Sequence, residues 1–74
     1  MTLQGRADKR LTAMQRATVA DQHANYCKAQ SADHLAAAEI GNFDFHSRMS
    51  VVFLGMAEVH QSAANKQRHA ATIL

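Results

Sequence analysis

Five histidines and one cysteine in a chain of 74 residues are the side chains whose chemistry needs testing first. His23 and Cys27 are four residues apart, so on a helix they share a face, as two ligands of one ion must. If the chain folds back at Gly41-Asn42, equal rise in the two arms sets His23 opposite His60 and Cys27 opposite Met56. A set of His23, Cys27, Met56 and His60 suits a soft ion such as copper(I), or zinc with Met56 left out. The same residues also suit a plain helix interface: Cys27 and Met56 as core fillers, His23 and His60 as flanks with their nitrogens in water. Metal binding is therefore the third of three functional readings, and no cofactor is expected. His34, His46 and His69 read as surface or boundary residues.

Catalytic groupings are weaker still. Cys27 beside His23 is formally a nucleophile and base, but Cys27 lies on an apolar helical stripe, where a thiol is buried and inert. The carboxylates Asp8, Asp21, Asp33, Glu39, Asp44 and Glu58 offer one close pair, Glu39 and Asp44, which sits where helix ends need charge. No glycine-rich phosphate loop is present. A non-enzymatic protein is expected.

The elements that must position these residues are helices. Proline is absent, glycines number three, and alanine, glutamine, methionine, lysine and arginine are frequent. From Arg6 to Ile40 nothing breaks the chain, and Leu11, Met14, Ala17, Ala20, Ala24, Cys27, Ser31, Leu35 and Ala38 recur at helical spacing. Beyond the turn, Phe45, Met49, Val52, Met56, Val59, Ala63, Gln67, Ala70 and Leu74 do the same. The expectation is an all-α antiparallel helical hairpin, a single domain over 1–74, with helices over about 6–40 and 43–71 and a frayed leader over 1–5. The large side chains of the second stripe are expected to fill the space left by the small ones of the first. Ser31 as an N-cap would instead break the first helix and make three. At the turn, Gly41 is expected in the left-handed conformation and Asn42 as the cap of the second helix. The stretch AEIGNFDFHSRM resembles the inter-helix turn of a tetratricopeptide repeat, which implies shared turn chemistry.

Phe43, Val51 and Leu54 fall off the main stripe and require another partner. A homodimer forming a four-helix arrangement is the simplest source. The first functional reading follows: a protein-interaction module that binds a larger protein and modulates or inhibits it, using Phe43, Arg48, Val51, Leu54, Glu58 and Gln61. In size and texture the chain resembles the small all-helical accessory proteins with which temperate phages inhibit host machinery, of the anti-CRISPR and anti-activator type; the resemblance implies inhibition by steric blockage. The second reading is a nucleic-acid-binding hairpin dimer. It would use Arg6, Lys9, Arg10, Arg16, Lys66 and Arg68, which meet at the open end of a hairpin, although the net charge is only +2. The N-terminus MTLQGRADKR holds no apolar signal core and the longest apolar run is too short for a membrane span, so a soluble, cytoplasmic chain is expected.

Overall fold

In the computed structural model, which describes residues 2–74, α1 spans Leu3–Ala38 and α2 spans Phe43–Ile73, packed antiparallel as one hairpin with no strand among the described residues. Thr2 caps α1: its Oγ1 accepts from the Gly5 backbone N–H at 3.0 Å, which satisfies one of the donors every helix start leaves open. The helix therefore begins at Leu3 and not near residue 6. The leader expected over 1–5 is, for residues 2–5, a capped first turn, while Met1 lies outside the described residues. α1 passes through Ser31 unbroken, so the hairpin has two helices and not three.

Asn42 holds the N-cap position of α2, as expected, but the left-handed conformation expected of Gly41 falls on Asn42 as well. Asn42 takes the left-handed conformation, at φ 49° and ψ 48°, while Gly41 has no positive φ. Asparagine tolerates this region better than other L residues. Its side chain makes no cap bond; its carbonyl instead accepts from the His46 N–H at 3.0 Å and starts the ladder of α2. Near the end of α1, Ala36 O accepts from Glu39 N–H at 3.3 Å, and Ala37 O from both Ile40 N–H at 3.0 Å and Gly41 N–H at 3.1 Å.

Burial follows a strict seven-residue repeat of small side chains. Ala17, Ala24, Ser31 and Ala38 on α1 face Ser50, Ala57, Ala64 and Ala71 on α2, and among the described residues every buried side chain is alanine, serine or cysteine. A seven-residue period drives two helices into a left-handed coil. The Cα envelope of 58 × 12 × 11 Å agrees. Two helices whose Cα atoms lie about 2.3 Å from each axis fit a 12 Å width only if the axes approach to about 7–8 Å, at or below the usual 8–10 Å. A straight pair would be much thinner one way than the other; near-equal widths mean that the pair wraps. Between the small layers, His34, His46, Phe53, His60 and Gln67 are half-buried.

This inner seam corrects both expected stripes. Leu11, Met14 and Leu35 are exposed, not core, and Ala13 joins the buried set. On α2 the expected stripe is displaced by one residue: 46, 50, 53, 57, 60, 64 and 71 face α1, whereas Phe45, Val52, Met56 and Val59 are exposed. Small packs on small, and not large on small. One residue is about 100° of helix, so α2 carries two adjacent heptad seams, an inner one of small residues and an outer one of large residues.

Candidate interaction surface

Side-chain pairs across the hairpin establish its register and its two edges. Ser31 and Ser50 hydroxyls hydrogen-bond at 2.9 Å in the buried seam. One helical turn closer to Gly41-Asn42, His34 Nδ1 and His46 Nδ1 are 2.8 Å apart, so one ring donates N–H and the other accepts. Phe53 stacks on His34 at 5.6 Å between centroids and Phe45 meets it edge-on at 6.0 Å. Toward the open end, Asp21 of α1 pairs with Arg68 and accepts from Gln61 Nε2 at 3.4 Å. Asp21, Gln61 and Arg68 occupy equivalent heptad positions, and equivalent flanking positions of antiparallel helices line the same edge. Leu35 and Leu54 are further members of that series and share the edge. Val19, His23 and Tyr26 lie on the other edge of α1, the one that Met56 and Ala63 occupy on α2.

The four residues considered for a metal do not assemble. His23 does meet His60, ring edge to ring face at 5.1 Å, as the hairpin register predicts. Cys27 is buried in the inner seam, and Met56 points outward with 43% of its surface exposed, so the predicted pairing of Cys27 with Met56 fails by one residue of helix phase. Among the described residues no group of three or more histidine, cysteine or acidic side chains is placed to hold an ion.

The six basic residues considered for nucleic acid are all exposed and do gather toward the open end, but not on one face. Lys9 and Arg16 line one groove with Gln67 and Leu74; Arg10 and Arg68 line another with Met14 and Thr72. Arg68 is already paired with Asp21 and donates to Asn65 Oδ1 at 3.4 Å. Arg6 and Lys66 add charge without joining the two grooves. A duplex or strand would meet two separated basic edges instead of one stripe.

Of the residues proposed for partner contact, Phe43 and Val51 are 67% and 69% exposed, Leu54, Arg48 and Glu58 are also exposed, and Gln61 is not free. Its amide is spent on Asp21 and on Asn65 Oδ1, each at 3.4 Å. Phe43 and Arg48 line one groove with Asp44 and Phe45 beside the turn. The outer seam, with Phe45, Val52, Met56 and Val59, is the surface missed as a contact because its residues were placed in the core. Its signal in the sequence is the run of small residues one position later, at 50, 57, 64 and 71. No helix is long and apolar enough to cross a membrane. In comparison with known proteins, the chain matches no family model, no curated protein and no solved structure.

Proposed function

We propose that the protein is a non-enzymatic interaction module, cytoplasmic and dimeric, that docks on a larger protein and inhibits or modulates it by covering its surface. One observation carries this reading: the hairpin buries its small side chains and leaves its large apolar ones outside. Such an inside-out distribution has little use in a free monomer, whereas exposed apolar surface rimmed by polar groups marks sites of association. The docking edge is Phe43, Val51 and Leu54, with Arg48 and Glu58 as its charged rim. That arrangement has the apolar centre and polar border common to protein interfaces. The inhibitory mode is the one implied by resemblance to small phage accessory proteins. A buried, unpaired Cys27 fits a reducing compartment. Division of the basic residues between two edges favours a protein target over nucleic acid.

The test is affinity capture from lysate by the native chain and by a Val51→Glu, Leu54→Glu variant, at low and high salt. One protein retained at high salt by the native chain and lost by the variant is the expected result. Release of nucleic acid as salt rises, unaffected by the variant, would replace this reading with the nucleic-acid one.

A further inference from the structure

The outer seam of α2 is built to pair with itself. Its successive members run from Phe45 to Ile73 at alternating steps of four and three, and the middle of that run is Val59. About that midpoint the two methionines Met49 and Met56 are balanced by the two alanines Ala63 and Ala70, while Phe45 at one end is balanced by Ile73 at the other. Laid antiparallel on a second α2 about a twofold axis at Val59, Met56 meets Ala63 and Met49 meets Ala70, each contact occurring twice. Val52 meets Lys66, whose aliphatic stem covers it while the ammonium reaches water. A twofold interface requires such a relation between the two halves of one surface; an unrelated partner requires none.

The exposed area is of the size that such an occupant would cover. Folded monomers of this 8.1 kDa mass expose about 4,500 Å². The hairpin exposes 5394 Å², an excess of about 900 Å², close to the roughly 800 Å² that each partner buries in a standard interface. The first helix agrees independently. His23 lies beside His60, at the level of Val59, and the two exposed apolar residues on that edge of α1, Val19 and Tyr26, lie about one turn to either side of it. The same axis therefore brings Val19 of one chain toward Tyr26 of the other.

We propose that a second copy of the chain covers this seam, α2 against α2 in antiparallel register centred on Val59, giving a four-helix bundle. This deepens the dimeric part of the function proposed above and involves neither the target nor the Phe43, Val51 and Leu54 edge, so either can fail without the other. The test is disulfide trapping in the full chain with Cys27→Ala as background, together with light scattering of the native protein. Only a residue on the axis meets its own copy: Val59→Cys should form a covalent dimer under mild oxidation. Val52→Cys should not, because its two copies are separated by 14 residues of rise, about 21 Å. Mixed with Lys66→Cys, it should form a covalent heterodimer. Both valines are exposed in the hairpin, so helicity should be retained in each variant. Equal self-linking of Val52→Cys and Val59→Cys would show parallel pairing and overturn the proposal. So would a native mass of one chain together with no trapping at Val59.

Discussion

Among the described residues Ser31 and Ser50 are the only buried polar side chains, and each hydroxyl has the other as its partner. Removing one leaves the other without its bond across the seam, at a cost of about 1–3 kcal/mol, while removing both restores an apolar layer like those at Ala24 and Ala57. In urea unfolding, Ser31→Ala and Ser50→Ala should each destabilise and the double variant should be close to the native protein; additive losses would contradict a direct pair. The alanines leave no slack either. Ala24 and Ala64 are completely inaccessible, and a close approach of two backbones has no room for added methylenes. Ala24→Leu should therefore cost about 1–3 kcal/mol or more in the same assay. The Asp21–Arg68 pair is of a different kind. Its side chains are 33% and 47% exposed, so solvent screening leaves little net gain, and Arg68→Ala should cost under about 1 kcal/mol.

At the scale of elements, the turn and the outer face of α2 hold the two backbone levers. Asn42 is the one non-glycine residue with positive φ among those described. Asn42→Ala keeps the Cβ but loses the short polar side chain that eases left-handed geometry, and so bears more of the about 1–2 kcal/mol this geometry costs, whereas Asn42→Gly removes the Cβ and relieves the strain. A thermal melt should therefore order the three as glycine, asparagine, alanine. Gly55 lies in the middle of α2 with nothing within 4 Å of where a Cβ would stand. Gly55→Ala should stabilise the helix by up to about 1 kcal/mol, read from chemical denaturation. A gain in stability accompanied by loss of target capture would place a partner's backbone against that glycine.

At the scale of the molecule, two long helices joined by a short turn have no second layer. The buried set is alanine, serine and cysteine, and the apolar area it removes from water is small for a chain of 74 residues. The large side chains that stabilise ordinary domains lie outside, many of them on the outer seam. Association should therefore supply much of the folding free energy, and the midpoint of thermal unfolding should rise with protein concentration, by mass action. A midpoint independent of concentration over two orders of magnitude would mean that the hairpin stands alone. For the same reason Met56→Ala should lower that midpoint at a fixed protein concentration, and a higher concentration should restore it.

The helices and their connection were legible in the sequence because they depend on local chemistry: no proline, an unbroken helix-favouring run and a Gly-Asn turn short enough to force antiparallel arms. Ser31, which reads equally well as a cap, became a buried seam residue because Ser50 lies opposite it, and nothing near it in sequence announces that. The outer seam was legible as a period and misassigned as a core. Periodicity determines which residues share a face, and residues 45, 49, 52, 56 and 59 do share one. It does not say which of two faces, a single residue and about 100° apart, turns toward the other helix. Tertiary structure decided that question through distance: only the alanine and serine seam lets the two backbones come within close van der Waals reach along their whole length, and the larger side chains are left facing outward.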